Sequence, residues 1–260
     1  MTQETPQALF RLRVGYKKSG RLAYLGHLEV IGTIERIIRR AALPYAVTQG
    51  FSPHMRIGYT SALPVGTSST CEWYDVFLTE LVDSEDALNR LRASSPADLE
   101  PFVAGYIDVR SPALTAQITR VRYKIVLRIA REIACDANAI EAALARIHST
   151  PELPYLRGKK NKVLDLAKTL LSYSVERQSD DLVSVELDTY CDNDGSLRPE
   201  LIIAAIDQLV RGLGLGQEPI QSTGVQAFAC FSSYRVCRVA QCMEDENGKL
   251  CDPFGRQVTV

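Results

Sequence analysis

The 260-residue sequence lacks long apolar segments and a large net charge. Its apolar runs are short, such as Leu201 to Ile206, and none approaches the roughly 18–20 residues that cross a bilayer. The formal net charge of -1 excludes a uniformly basic, histone-like binder but allows a local basic face. The N-terminus has no basic-then-apolar signal layout. We therefore expect a cytoplasmic protein without a membrane segment.

Cysteine and carboxylate patterns give little support for a metal site. Seven cysteines are an odd number in a chain without a secretion signal, which favours reduced thiols. Only two of the four C-terminal cysteines are close in sequence, whereas zinc sites usually have C-x2–4-C pairs: Cys230, Cys237, Cys242, Cys251. Three carboxylates could hold Mg²⁺, but we expect them to alternate outward from strands: Glu72, Asp75, Asp108. We expect no metal and no cofactor.

The first hundred residues alternate between strand and helix patterns. Apolar residues alternate with Arg11 and Arg13 over residues 9–16, which predicts a strand with a basic outer face. Apolar positions three and four apart predict an amphipathic helix from His27 to Ala42. A short strand, a long Gly-, Pro- and Ser-rich loop and three further elements follow: 45–49, 50–69, 72–79, 84–91, 102–109. This βαββαβ order is typical of a ferredoxin-like unit.

The same order of patterns repeats in the second half. The patterns predict a strand at 120–129, a helix at 137–148 capped by Asp136 and a basic loop at 157–162. They then predict strands at 170–177 and 182–188, a helix at 199–212 that begins at Pro199, and a last strand at 227–239. We therefore predict an α+β fold class with two tandem ferredoxin-like (βαββαβ) units. Residues 1–112 form an N-terminal unit with a basic face, residues 113–243 a C-terminal unit, and residues 244–260 a polar tail.

Charge is unevenly distributed along the chain. Residues 1–60 contain nine basic and three acidic side chains, a net charge of about +6, and residues 176–200 contain eight acidic side chains against two basic ones. Basic strand faces could line a groove for a phosphate backbone. The alternative is that neighbouring carboxylates neutralise those faces in three dimensions.

The most distinctive motifs begin with the arginine-bearing strand. They continue with Gly26-His27-Leu28, Arg39-Arg40, Gln49-Gly50-Phe51-Ser52-Pro53-His54, Ala62-Leu63-Pro64-Val65-Gly66, Lys159–Asp165 and Ser196–Glu200. With these motifs the chain resembles the bacterial radical SAM-linked (radical SAM-associated) protein family, a domain of unknown function. The resemblance implies a radical SAM enzyme as partner and a link to RNA processing. Because the chain has no C-x3-C-x2-C motif for an iron–sulfur cluster, the resemblance indicates an accessory protein rather than the radical enzyme.

A looser resemblance is to the CRISPR repeat-processing ribonucleases, which are similar in their tandem ferredoxin-like units. Those proteins cut RNA without metal and use a histidine near the first helix, a place that His27 would occupy. An imidazole can take a proton from a ribose 2′-hydroxyl at neutral pH. The alternative is a helix-entry histidine that bonds to the backbone.

Our first functional hypothesis is an RNA-binding accessory protein that works with a radical SAM enzyme in tRNA or rRNA modification or processing. The candidate RNA-binding residues are Arg11, Arg13, Lys17, Lys18, Arg21, His27, Gln49, Phe51, His54, Arg56, Arg157, Lys159, Lys160 and Lys162. In this interpretation Phe51 stacks on a base and Arg56 holds a phosphate. The second hypothesis is a metal-independent endoribonuclease with His27 as general base and Lys17, Lys18 or Arg56 on the phosphate. The third is a protein-interaction module without RNA.

Overall fold

The computed structural model describes residues 8–131, 133–192, 195–222 and 226–258; the outermost residues of the predicted N-terminal unit and of the polar tail lie outside this part. In chain order its elements are β1 (Phe10–Lys18), α1 (His27–Arg40), β2 (Ile57–Tyr59), β3 (Ser68–Leu78), α2 (Ser84–Ser94), β4 (Pro101–Ile107), α3 (Leu114–Gln117), β5 (Arg120–Ile129), α4 (Ala137–His148), β6 (Glu152–Arg157), β7 (Lys160–Asp165), α5 (Leu166–Thr169), β8 (Leu170–Arg177), β9 (Leu182–Asp192), β10 (Gly195–Ser196), α6 (Pro199–Val210), β11 (Phe231–Glu244) and β12 (Leu250–Cys251).

The chain divides into two compact units. Unit 1 contains the residues up to Ile118 and those from Gln241 onward, and unit 2 contains Thr119–Ala240. Strand β11 crosses this division. The boundary between Ile118 and Thr119 lies a few residues after the predicted boundary between residues 112 and 113. The segment predicted as a polar tail is part of unit 1, where β12 pairs with the end of β11.

Unit 1 has an antiparallel sheet with two helices on one face. Strand β1 lies between β4 and β3, and β3 also pairs with β2, which gives the order β4–β1–β3–β2. The apolar side chains of β1 and β3 pack against α1, α2 and the turn at Leu99 in one core: Leu12, Val14, Tyr16, Tyr74, Val76, Leu78, Val30, Ile34, Ile37, Ile38, Ala87, Leu91, Leu99. The two-residue period of β1 and the helical period of α1 thus meet on the same side, as the sequence predicts.

Helix ends in unit 1 follow local chemistry. The Asp83 carboxylate accepts hydrogen bonds from the backbone N–H groups of Glu85 and Asp86 at the start of α2. At α1, Glu29 reaches back to the Gly26 N–H, and the helix ends before Leu43-Pro44. Both helices begin at or within one residue of the predicted positions.

The opposite face of the unit 1 sheet is also covered. Trp73 packs edge-on against Phe102 and Phe254, with ring centroids 5.6 and 5.7 Å apart. A Cβ on Gly15 would lie 2.7 Å from Phe102 and 2.8 Å from Trp73, so the absence of a side chain there allows the aromatic packing. Residues of the C-terminal segment therefore complete a second apolar layer on this unit.

Unit 2 likewise has antiparallel strands with two packed helices. Strand β9 pairs with β5 and β8 on its two sides, and β5 is next to β11, which gives the order β11–β5–β9–β8. Helix α6 is buried around nearly its whole circumference from Leu201 to Gln208 and packs against α4. The predicted bounds of β5 and of the Asp136-capped α4 are confirmed.

The fold class is α+β with mostly antiparallel strands, as predicted. Two differences concern strands. The strand predicted at residues 45–49 is not formed: Tyr45 and Val47 make isolated bridges, and β2 lies instead inside the predicted loop 50–69. At residues 152–165 the predicted basic loop is the turn of the two-stranded β6–β7 hairpin. No helix among the described residues is long and apolar enough to cross a membrane.

Candidate functional site

The two arginines of β1 are buried. Arg13 and Asp75 are each 1% exposed and Arg11 is 5% exposed. Both guanidinium groups donate to the same carboxylate: Arg11 Nη2 lies 2.7 Å from Asp75 Oδ2, and Arg13 Nε lies 2.7 Å from Asp75 Oδ1. The predicted basic outer face of β1 is therefore wrong, because both guanidinium groups are buried and share one carboxylate. The expectation that Asp75 points outward is also wrong.

Chain segments that cover this face use the remaining guanidinium donors. Arg11 donates to the carbonyls of Ser111 and Pro112, and Arg13 donates to the Pro253 carbonyl and, at 2.8 Å, to Gln117 Oε1. Buried charges need such complete hydrogen bonding to offset the loss of water. Arg11 and Arg13 therefore hold the covering segments onto the unit 1 sheet and present no free surface to a polyanion.

The two lysines at the end of β1 are also engaged. Lys18 is 1% exposed, and its Nζ donates to the carbonyls of Ala23 and Leu25 at 2.9 Å each. Lys17 is half-exposed and forms an ion pair with Glu100, which lowers the pKa of that carboxyl. Of the two predicted phosphate contacts, Lys18 is thus a buried cation and Lys17 a paired one, and Arg21 is the exposed cation of this turn.

Residues 46–56 form an irregular hairpin that carries the predicted Gln49–Arg56 motif. Backbone bonds join Thr48 N to the His54 carbonyl at 2.8 Å and Arg56 N to the Ala46 carbonyl at 2.8 Å. At its tip Phe51 is fully exposed, and Gln49 and His54 are exposed beside it. The Arg56 guanidinium lies over the Phe77 ring at 4.2 Å from its centroid. The hairpin therefore presents an aromatic ring, an amide and an imidazole together, with an exposed arginine at its base.

A small pocket lies at the start of α1, and His27 belongs to it. Its lining is Tyr16, Lys18, His27, Val30, Tyr59, Thr60, Ser61, Leu63 and Glu72. The cavity volume is about 10 Å³, which is room for about one water molecule. Glu72 is buried and accepts a hydrogen bond from Thr60 Oγ1 at 3.3 Å, and the His27 and Tyr59 rings meet edge-on at 6.1 Å.

Burial sets the protonation state of His27. It lowers the pKa of the imidazole below its ordinary value of 6.5, the Lys18 charge lowers the pKa further, and the Glu72 carboxylate opposes both. The ring is therefore neutral at physiological pH, with one nitrogen as donor and one as acceptor. Glu72 points inward, contrary to the prediction that it alternates outward.

In unit 2 the basic face of β5 is neutralised by the acidic stretch. Arg120 pairs with Asp188 at 2.6 Å, Lys124 pairs with Glu186 at 3.7 Å, and Arg128 pairs with Asp181. These carboxylates come from β9 and the turn before it, so the antiparallel register places them across from the cations. The charge separation along the sequence therefore disappears in the fold at this face.

The β6–β7 hairpin presents cations that have no such partners. Arg157, Lys159, Lys160 and Lys162 are all exposed, and within the described residues none of them forms an ion pair or side-chain hydrogen bond. Gly158 adopts φ 62° at the first position of a two-residue turn, where a type II′ turn favours glycine. The rigid turn holds Arg157 and Lys160 as cross-strand neighbours.

The base of this hairpin is anchored in unit 2. Leu153 and Leu166 are buried, and Leu156 exchanges backbone hydrogen bonds with Ile220 and Ser222. The only acidic residues of the two strands, Glu152 and Asp165, pair with each other at the end opposite the turn. The four cations are therefore concentrated at the tip, and we refer to Arg157, Lys159, Lys160 and Lys162 as the cationic tip.

Metal-ligand clusters are not found among the described residues, and the seven cysteines are free thiols. Cys230, Cys242 and Cys251 are buried. Burial is the main cause that raises the pKa of Cys230 to about 12, with the neighbouring Asp207 adding to it. These thiols act as small apolar side chains.

Sequence reasoning did not find three members of the pocket: Tyr59, Thr60 and Ser61. They lie in the segment expected to be a loop, and β2 brings Tyr59 beside β3 through antiparallel pairing with Tyr74. The run Tyr59-Thr60-Ser61 of three hydroxyl side chains was the available signal. Nothing local in that run shows that it faces His27.

Two solved structures that are similar to this chain have low sequence identity to it. A chain of a crystal structure of a Cbf5-Nop10-Gar1 complex has 9% identity and a TM-score of 0.47; the match covers 90% of this chain and 50% of that one. This chain thus corresponds to half the length of that protein. An unknown protein from Galdieria sulphuraria has 8% identity and a TM-score of 0.24, with 90% of this chain and 100% of that chain covered. Such scores support no argument about function.

No curated protein matches this sequence. A family described as an uncharacterized protein conserved in bacteria (DUF2344) matches residues 11–199, which include β1 and the cationic tip. The match extends over well more than half of the chain and confirms the expected membership in a bacterial family of unknown function. The chain belongs to the DUF2344 family.

Proposed function

We propose that this protein is an RNA-binding accessory protein that works with a radical SAM enzyme in tRNA or rRNA modification or processing. The observation that carries the proposal is the cationic tip, where four cations that have no ion pair among the described residues lie within six residues of one hairpin. Surface cations that contact phosphates displace the counterions condensed on the nucleic acid. The release of those counterions supplies much of the affinity for nucleic acid. The radical SAM partner follows from the family resemblance alone.

The unit 1 hairpin supplies a second kind of contact. An exposed phenylalanine is a stacking platform for an unpaired base, and an adjacent amide and imidazole can bond to base edges or phosphates. Phe51, Gln49 and His54 provide these groups at one hairpin tip. Single-stranded RNA, in a loop or at an end, is the form that exposes base faces.

Strand order supports the proposal that each unit is ferredoxin-like. In a βαββαβ unit with two crossover helices, the first strand lies between the third and fourth and the second lies outside the third. The orders β4–β1–β3–β2 and β11–β5–β9–β8 have this pattern, with α1, α2 and α4, α6 in the helix positions. The extra β6–β7 hairpin is then an insertion between the first helix and second strand of unit 2.

The test is the salt dependence of RNA binding. Labelled single-stranded RNA and tRNA are titrated with protein by fluorescence anisotropy between 50 and 300 mM salt. We expect the slope of log Kd against log salt to fall by roughly 3 when the four cationic-tip residues are changed to glutamine, since each single-strand phosphate contact contributes about 0.7. Absence of binding at low salt, or binding without a salt slope, contradicts the proposal.

A matched control separates local charge from total charge. Four exposed cations of unit 2 already pair with carboxylates: Lys124, Arg128, Lys168, Arg177. Their replacement by glutamine changes the net charge by the same amount as the cationic-tip variant. We expect this control to retain nearly all of the RNA affinity and of the salt slope.

The stacking contact has its own test. Phe51→Ala should weaken binding of single-stranded RNA by about five- to a hundredfold, the range measured for loss of one base–aromatic stack. Leu81→Ala removes another exposed apolar side chain of unit 1 and should leave the affinity unchanged. Equal changes of the RNA affinity in the two variants would show that Phe51 does not contact the RNA.

The endoribonuclease alternative has less support. It needs a cation to steady the phosphate beside His27, but Lys18 donates to two backbone carbonyls and Lys17 pairs with Glu100. The third candidate, Arg56, lies over the Phe77 ring. Incubation of RNA with the protein in chelator tests it, and cleavage that His27→Ala abolishes would favour this alternative. A partner enzyme captured equally before and after ribonuclease treatment would favour a protein-interaction module.

A further inference from the structure

The hydroxyl group of Tyr59 makes no hydrogen bond that stabilises the described part of the fold. Tyr59 Oη is buried, and no protein atom in the described part of the chain forms a hydrogen bond with it. Buried polar atoms are nearly always paired, because an unpaired one loses its bonds to water without replacement. Tyr59 lines the pocket at the start of α1, so the unpaired atom belongs to a site that also contains a neutral imidazole.

Size and charge restrict what this pocket can accept. It has room for about one water molecule, which excludes a base, a phosphate or a whole ribose. Two buried groups of opposite charge, Lys18 and Glu72, belong to the lining, so an ion of either sign would meet a like charge. A neutral group of the size of a hydroxyl fits both limits.

A hydroxyl also matches the hydrogen-bonding capacity of the lining. Tyr59 can donate or accept, and the neutral His27 ring offers one donor and one acceptor. His27, Tyr59 and Ser61 are the half-buried members, so they form the side from which a ligand approaches. Exposed apolar side chains, Tyr24 and Leu28 at 70% and 81% exposure, flank His27 in sequence and can contact the body of a larger ligand.

We propose that this pocket binds a ribose 2′-hydroxyl of single-stranded RNA and so makes the protein select RNA over DNA. The inference rests on the proposed RNA-binding function and adds its sugar specificity. The 2′-hydroxyl is the group that distinguishes the two nucleic acids, and it is both donor and acceptor. Tyr59 and His27 are its partners, while Lys18, Glu72 and Thr60 form the polar floor.

The experiment compares an RNA oligonucleotide with the DNA oligonucleotide of the same sequence, with uracil in both. The wild-type protein should bind the RNA about five- to tenfold more tightly, which corresponds to one gained hydrogen bond. Tyr59→Phe should lower the RNA affinity to that of the DNA and leave the DNA affinity unchanged. Tyr106→Phe is the matched control, since the Tyr106 hydroxyl already donates to the Val82 carbonyl.

The outcomes separate this inference from the proposed function. If neither oligonucleotide binds, the RNA-binding function itself is contradicted. If both bind equally, or if Tyr59→Phe keeps the RNA preference, RNA binding stands and the 2′-hydroxyl pocket is contradicted. Cationic-tip variants should weaken the binding of both oligonucleotides by the same factor and so leave the ratio of the RNA affinity to the DNA affinity unchanged.

A second readout does not depend on any variant at position 59. The NMR signal of the His27 ring, assigned by its loss in His27→Gln, should shift when RNA is added and not when the matching DNA is added. The signal of His148, which lies in unit 2, serves as internal control. Equal shifts of the His27 signal with both oligonucleotides would overturn the proposal.

Discussion

Replacement of Asp75 by asparagine should strongly destabilise unit 1. Asp75 accepts four guanidinium N–H groups, from Arg11 and Arg13, at 2.7 to 3.0 Å, and it is 1% exposed. Asp75→Asn removes the negative charge, turns one acceptor into a donor that faces other donors, and leaves two buried cations. Loss of one partner of a buried pair costs about 3–5 kcal/mol. The shared carboxylate places Asp75→Asn at the upper end of that range.

The assay is urea unfolding followed by tryptophan fluorescence. Trp73 is the single tryptophan and lies two residues before Asp75 in β3, so its emission reports on unit 1. With a urea m-value of roughly 2 kcal/mol per molar, a loss of about 4 kcal/mol lowers the midpoint by about 2 M. The control is Asp188→Asn in unit 2, whose partners Arg120 and Arg122 are partly exposed, and the Trp73 transition should change little.

A triple variant tests why Asp75→Asn lowers the free energy of unfolding. Arg11→Met, Arg13→Met and Asp75→Leu together remove the charges and keep apolar bulk. Because isolated buried charge is the cause of the penalty, the triple variant should be more stable than Asp75→Asn alone. A loss below about 1 kcal/mol in Asp75→Asn would refute the reasoning, since a solvated pair gives such values.

Four further results are expected. Gly15→Ala should lower the unfolding free energy by about 1–3 kcal/mol through contact with Phe102 and Trp73, measured by the same fluorescence titration. Tyr59→Phe should instead raise it by roughly 1 kcal/mol, because an unpaired buried hydroxyl is removed; a decrease would show that the hydroxyl is paired. Since the pKa of His27 is lowered in the fold, the unfolded chain takes up the proton first, and stability should fall as pH drops below about 6.5; His27→Gln should flatten this part of the profile. Cys230, with its pKa raised to about 12, should resist iodoacetamide at pH 8 in the native protein and react only in urea, as mass spectrometry of the peptides would show.

Local periodicity was sufficient for most of the elements. The bounds of β5, α4 and β8 and the starts of α1 and α6 agree with the sequence patterns, because caps and apolar spacing act within a few residues. The β6–β7 hairpin was missed because its exposed strands have little apolar alternation. Its stability comes from Leu153, Leu166 and the distant Ile220.

The candidate site was less predictable than the fold. Alternation placed Arg11 and Arg13 on the face opposite Leu12, which is correct, but it could not show that residues 111–117 and 253–254 cover that face. The Asp75 partner is 62 residues from Arg13 along the chain. Charge counts contain no such long-range information, and so the net charge of +6 over the first 60 residues overstated the exposed positive surface.

Under the proposed function, unpaired charge is a better guide than total charge to the polyanion site of this protein. A cation that already pairs with a carboxylate must lose that partner before it contacts a phosphate, so its net contribution to binding is small, as at Arg120 and Lys17. A buried cation such as Arg13 would also have to leave its hydrogen bonds. Within the described residues the cationic tip meets neither obstacle, and the antiparallel pairing beside its two-residue turn keeps the backbones of Arg157 and Lys160 together. Under the proposed function, the small pocket in unit 1 would supply the specificity, since phosphate contacts alone do not distinguish RNA from DNA.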